Sequence, residues 1–203
     1  MKICKLLLAA MSATVLLGAL TSTASAGRLE IDETRISAMW RDVIFALPFG
    51  NTDCEVTLEG TLHSRTMVKT LGTLMGYITR AILRRPCHAG ESTILTETLP
   101  WHISYSGFQG TLPEITSIIV HVVGAAFRVR EPGGVNCLAR SSATRPAVGT
   151  FHRDPVTHHI IEVSISGRLP TGIECFGAEG TFSSSEGTMS RSGSNSLVSV
   201  SLI

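Results

Sequence analysis

Three histidines and an aspartate crowd the stretch FHRDPVTHH, residues 151–159 of this 203-residue chain. Imidazoles and carboxylates are good ligands for zinc or copper. The spacing of His152, Asp154, His158 and His159 is not that of H-E-x-x-H. His158 and His159 are adjacent, so in a strand they point to opposite faces and share a metal poorly. The stretch is expected to be an exposed loop running into a strand, and no metal ligand and no cofactor is assigned. His102 follows Trp101 and should face away from it. A base there would need a nucleophile and an orienting acid within reach, and none of the many serines lies in a G-x-S-x-G elbow. His121 interrupts the apolar run Ile118 to Val123. It is expected to be a buried imidazole hydrogen-bonded to backbone or to a carboxylate. Glu59, Glu97 and Glu179 could supply the carboxylate pair of a glycoside hydrolase, which needs a defined separation across a cleft; outward-facing strand residues are the plainer expectation. Trp40 and Trp101 could form a sugar-stacking platform, but large aromatics more commonly fill a core. No catalytic residue is assigned.

Cysteine chemistry is tied to where the chain resides. Lys2 and Lys5, the apolar run Leu6 to Leu20 and Ala24-Ser25-Ala26 have the three parts of a signal peptide, so residues 1–26 are expected to be removed. The run is shorter than the roughly 18 apolar residues expected of a spanning helix, so no transmembrane anchor is expected after cleavage. Residues 27–203 then form the mature domain, secreted or held in the cell envelope. Loss of Lys2 and Lys5 takes the formal charge from +1 to −1. A near-neutral chain without basic clusters is not expected to bind nucleic acid. Cys54, Cys87, Cys137 and Cys175 remain, an even number in an exported chain, and read as two disulfides. Of the three possible connectivities, Cys54–Cys87 with Cys137–Cys175 is preferred, one bridge in each half. No C-x-x-C pair suggests zinc instead.

The elements that would hold these residues are strands. Trp101, Ile103 and Tyr105 alternate with His102, Ser104 and Ser106, predicting that the first three point inward. Cys54, Val56, Leu58 and Leu62 alternate in the same way with Glu55, Thr57, Glu59 and Thr61. Ile36 to Phe45 fits a strand with Trp40, Asp42 and Ile44 opposite Met39, Arg41, Val43 and Phe45, or else the start of a helix. Leu74 to Leu83 fits a strand or a short helix. Ser92 to Tyr105 reads as one long strand bent near Pro100. Ile115 to Arg130 reads as another, covered on both faces from Ile118 to Val123. Cys137 to Thr157 is irregular, a long loop or two with short strands. Ile161, Val163 and Ile165 should share a face, Ile173 to Phe182 should follow as a strand, and the Ser- and Gly-rich Ser183 to Ser196 should be a flexible hairpin loop. Ser196 to Leu202 closes the chain with Val198, Val200 and Leu202 inward. About ten strands with frequent turn signals predict one all-β domain, an antiparallel β-sandwich or barrel. A short echo, Glu59-Gly60-Thr61-Leu62 and Glu179-Gly180-Thr181-Phe182, suggests either equivalent strands or coincidence.

The segment Ile94 to Val129 resembles uncharacterised secreted bacterial proteins that share an L-P-W-x-x-x-Y-x-x-F-x-G-x-L-P core flanked by cysteine pairs. Trp101, Tyr105, Phe108 and the turn from Gly110 to Pro113 match that pattern. The resemblance implies an exported all-β protein and brings no active-site residues. The expected function is a non-catalytic binding or structural module of the cell envelope or extracellular space, its protein or small-molecule partner unknown. A secreted hydrolase is the alternative, and a small barrel carrying an apolar ligand is a further one.

Overall fold

Two thirteen-residue strands, Arg35–Leu47 and Gly50–Leu62, pair antiparallel and set the geometry of the main sheet. They belong to a computed structural model that describes residues 27–47, 50–84, 87–130 and 134–203. The expected signal peptide, residues 1–26, lies outside the described residues. In chain order the strands are β1 (Arg28–Ile31), β2 (Arg35–Leu47), β3 (Gly50–Leu62), β4 (Thr66–Val68), β5 (Leu74–Leu83), β6 (Glu91–Ile94) and β7 (Trp101–Thr111). They continue with β8 (Glu114–Val123), β9 (Ala126–Arg130), β10 (Asn136–Arg140), β11 (Ala147–Arg153), β12 (Ile160–Pro170), β13 (Glu179–Arg191) and β14 (Val200–Leu202).

Eight strands in the order β11-β12-β13-β2-β3-β5-β7-β8 close into a barrel, because β8 pairs back onto β11. The all-β expectation is borne out, and of sandwich and barrel the pairing selects closure. An eight-stranded barrel has an interior that side chains can just fill. Trp40, Phe45, Leu58, Trp101, Tyr105, Val120 and Phe182 are among those that fill it. Trp101 is 1% exposed, with Ile103 and Tyr105 buried beside it in the predicted alternation and His102 exposed.

Two three-stranded sheets cover the barrel ends. The sheet β14-β1-β4 lies at one end, where Ile31, Met67 and Val200 meet Ile36, Leu62 and Met189 around a void of about 30 Å³. The sheet β10-β9-β6 lies at the other. There Phe127 and Ile94 meet Trp40, Phe45, Val56 and Trp101 around a void of about 20 Å³. Phe127 stands edge-on to Phe45 and Phe182, 5.2 Å from each ring centre. Voids of this size hold little more than a water molecule.

Both expected disulfides are present, Cys54–Cys87 and Cys137–Cys175. They staple the β6-β9-β10 cap to the barrel. Cys87 lies just before β6 and reaches β3; Cys137 lies in β10 and reaches the link between β12 and β13.

Several strand expectations change in the folded chain. Trp40, Val43 and Phe45 all point into the lumen, because a register shift between Trp40 and Val43 resets the alternation and leaves Arg41 and Asp42 outside. Ser92 to Tyr105 is not one strand. A 3-10 turn at Thr96–Thr98 separates β6 in the cap from β7 in the barrel. Ile115 to Arg130 likewise breaks at Gly124, whose φ of +96° suits glycine alone. The apolar run of β8 is covered on its lumen face only; Ile119, His121 and Val123 are half-buried outside. Ile161 is exposed while Ile160 turns inward, since the pairing shifts at His152 and Arg153. Ile173–Cys175 is a 3-10 turn, not a strand. The short strands expected in the irregular region from Cys137 are present as β10 and β11.

The largest correction is Ser183 to Ser196. Most of it is β13, a barrel strand paired to both β12 and β2. Its small residues suit the position. A Cβ on Gly187 would stand 2.3 Å from Trp40 Nε1, and that indole N–H donates to the Val163 carbonyl at 2.9 Å. The two E-G-T segments lie on β3 and β13, which flank β2 on opposite sides.

Candidate functional site

With the lumen filled, polar chemistry is left to the outer wall of β5, β7, β8, β11 and β12. Strand register builds that wall in rows. Tyr77 faces His102, Ser104 faces His121, and Gln109, Ser117, His152 and Glu162 follow one another across β7, β8, β11 and β12. His63 packs edge-on against Tyr77 at 4.9 Å, and Tyr77 lies 5.2 Å from His102. The side chains of His102 and His121 are diagonal neighbours on one face.

Two serine–histidine pairs lie on this wall. Ser106 Oγ and His121 Nε2 are hydrogen-bonded at 2.9 Å. Ser106 keeps the outward side of His102 and Ser104, and the register shift between Tyr105 and Gly107 sets it beside the imidazole. His121 is thus half-buried and bonded to a hydroxyl, not buried against backbone or a carboxylate as its apolar neighbours suggested. Ser117 Oγ lies 3.3 Å from His152 Nδ1 and donates to Gln109 Oε1 at 3.2 Å. A serine–histidine contact is the first requirement of an activated nucleophile. The second is a carboxylate that orients the imidazole, and among the described residues none hydrogen-bonds His121 or His152. Ser117 is also buried, so a substrate would not reach its hydroxyl.

The FHRDPVTHH stretch is taken apart by the fold. Phe151 faces the lumen, His152 the outer wall, and Arg153 is buried. Arg153 Nε donates to the Val200 carbonyl at 2.7 Å and its Nη1 to the Ile115 carbonyl at 2.8 Å, tying β14 and β8 to β11. Burial disfavours its charge, while Asp154 and Glu114 favour it. Asp154 Oδ1 accepts the N–H groups of Val156 and Thr157, which hold its carboxyl below the usual carboxylate range. His158 takes a positive φ of 63° and its carbonyl accepts the Val200 N–H. The expected loop is therefore a turn, but His152 belongs to a strand. Among the described residues no three His, Cys, Asp or Glu side chains gather where a metal could bind. Arg153 was missed by sequence reasoning; a charged residue in an irregular segment carries no signal of burial.

The three glutamates do not meet. Glu59 pairs with Arg80 on the outer wall at 3.4 Å and faces Ser37 of β2. Glu179 pairs with Arg145 and lies two residues before Thr181, which faces Ala46. About 30 Å of strand separates them, against the 5–10 Å or so that glycoside hydrolysis requires. Glu97 lies in the 3-10 turn before β7. Trp40 and Trp101 are both lumen residues, so neither forms a sugar platform. Burial pushes the Tyr105 phenol above its ordinary range. Lys69 has no hydrogen-bond partner for its buried ammonium, which lies 5.6 Å from the Phe108 ring centre.

No helix among the described residues is long and apolar enough to cross a membrane. Comparison with family models, curated proteins and solved structures finds no match to this chain.

Proposed function

We propose that the chain is an exported, non-catalytic binding module of the cell envelope or extracellular space. Its contact surface is the outer wall around Tyr77, His102 and His121, and its partner is a protein or small molecule, not nucleic acid. The observation that carries this reading is the filled and capped barrel. Side chains occupy the lumen and a sheet covers each end, which leaves the wall as the recognition surface. The charged outer positions of β2 and β3, such as Arg41, Asp42 and Glu59, also oppose a lipid-facing role for this barrel.

The hydrolase alternative rests on the Ser106–His121 contact. One experiment separates the two. Purified protein is presented to a glycan array and to envelope fractions of the producing cell, and in parallel to ester, peptide and glycan substrates. Saturable binding that is lost in the Tyr77→Ala/His102→Ala variant, with melting unchanged, supports the binding module. Turnover of any substrate that Ser106→Ala abolishes would overturn it and establish the hydrolase.

A further inference from the structure

We infer that the outer face of the β6-β9-β10 cap, together with the 3-10 turn at Ile173–Cys175, is a docking surface for an anionic lipid bilayer. This face is separate from the wall assigned above and does not depend on that assignment. Alternation along the cap strands turns Ile94, Phe127, Val129, Cys137 and Ala139 toward the barrel and the residues between them away from it. Register then sets Glu91, Arg130 and Asn136 in one outward row and Thr93, Arg128 and Leu138 in the next. Arg140 lies diagonal to Arg128 on the same face. Three arginines thus share the face with one carboxylate, and that carboxylate, on Glu91, lies 3.6 Å from Arg130 Nη1. Among the described residues neither Arg128 nor Arg140 has an acidic partner.

The turn stands at the β10 edge of this sheet. Gly172 N–H donates to the Leu138 carbonyl at 3.2 Å, Thr171 bridges Ala139, and Cys175 is bonded to Cys137. Anchored in this way, the turn presents Ile173 at 93% exposure and Phe176 at 80%. Phe176 closes it with a φ of +58°, a left-handed conformation that suits glycine or asparagine better than a bulky side chain. Glu174, exposed between them, curls its carboxylate back against Gly172. Glu179, the next acid along the chain, is paired with Arg145.

The two features together select the occupant. A soluble polyanion would meet the arginines but offer the apolar side chains nothing. An apolar protein pocket would take Ile173 and Phe176 but leave the guanidinium groups uncompensated. A bilayer interface supplies phosphates at the level of the arginines and an acyl boundary beneath them for the apolar side chains. Arginine suits the phosphate because its planar fork bonds two oxygens at once. The disulfide fixes the turn before contact, so little ordering entropy is lost on binding.

The test is co-sedimentation of the disulfide-bonded protein with vesicles of phosphatidylglycerol and phosphatidylcholine in equal parts, and with vesicles of phosphatidylcholine alone. Binding is expected to the first and not to the second, and it should weaken as salt is added. Arg128→Gln/Arg140→Gln should weaken it by about tenfold or more through the loss of two charges at the surface. Ile173→Ser/Phe176→Gly should produce a loss of similar size, and both variants should melt as wild type does. In Ile173→Trp the new indole emission should shift to the blue on the anionic vesicles as the ring leaves water. This readout leaves every charge in place and keeps the test decisive if a double variant melts early. Absence of vesicle binding, or equal binding to both vesicles, would overturn the proposal. Binding that survives both double substitutions would place the contact elsewhere, in residues 1–26 or on the wall, and overturn it too, as would an unshifted indole in vesicle-bound Ile173→Trp. Heparin binding as tight as vesicle binding and indifferent to Ile173→Ser/Phe176→Gly would make the face a polyanion site instead. A dimer in solution that Ile173→Ser/Phe176→Gly dissolves would make the turn a self-association contact instead.

Discussion

Trp101 and His102 are chain neighbours on opposite sides of the barrel wall. Trp101 fills the lumen, donates its indole N–H to Thr98 Oγ1 at 2.8 Å and stands edge-on to Phe127. Trp101→Ala should lower stability by about 3–5 kcal/mol, as for removal of a buried large aromatic. His102→Ala should stay within about 0.5 kcal/mol, as for a surface change. Denaturant melts of both check this, and equal midpoints for Trp101→Ala and wild type would remove Trp101 from the core. Asp154 gives a pH signature. Its folded carboxyl is held below the ordinary value of 3.8 by the Thr157 and Val156 N–H groups. Its contribution is therefore complete above that value and is lost as pH falls through the lower folded value. Asp154→Asn should lose less stability than wild type between neutral pH and the bottom of that window, read from melts across the acid range. Identical acid profiles would show that the turn does not depend on the charge.

At the scale of elements, β13 departs furthest from the expectation raised by its composition. Serine and glycine suggest a flexible loop, yet both neighbours of this strand are barrel strands and Trp40 lies across Gly187. Gly187→Val forces a side chain into the indole and the Val163 carbonyl. The overpacking and the lost indole hydrogen bond should together cost about 2–4 kcal/mol. Thermal or denaturant melting measures it, and a neutral outcome would mean that β13 is not seated against Trp40. A glycine at this point is thus a packing requirement that a loop would not impose.

For the whole molecule, two disulfides and two end sheets do for the barrel what length cannot. Loops of 33 and 38 residues closed by the disulfides stabilise the chain by about 3–4 kcal/mol each in the chain-entropy model. That contribution requires an oxidising compartment, which links the fold to the export proposed for residues 1–26. Protein recovered outside the cytoplasm should begin at Gly27, as N-terminal sequencing would show. An intact Met1 in a cytoplasmic fraction would refute export.

Alternation in Cys54 to Leu62 and in Trp101 to Tyr105 was enough to read β3 and the start of β7 with their inward faces, because a strand buried on one side repeats every two residues. Cysteine parity and position were enough to favour the correct pairing. The wall of rings and hydroxyls was not legible. Tyr77 meets His102, and Ser117 meets His152, through pairings between distant segments. Register shifts, not composition, place Ser106 beside His121 and Val43 on the same side as Trp40. Barrel closure rests on the single pairing of β8 with β11, and the burial of Arg153 on carbonyls from two other strands. Local sequence determines which residues alternate. Only tertiary structure decides where the alternation slips and which strands meet, since those outcomes are set by packing among segments far apart in the chain.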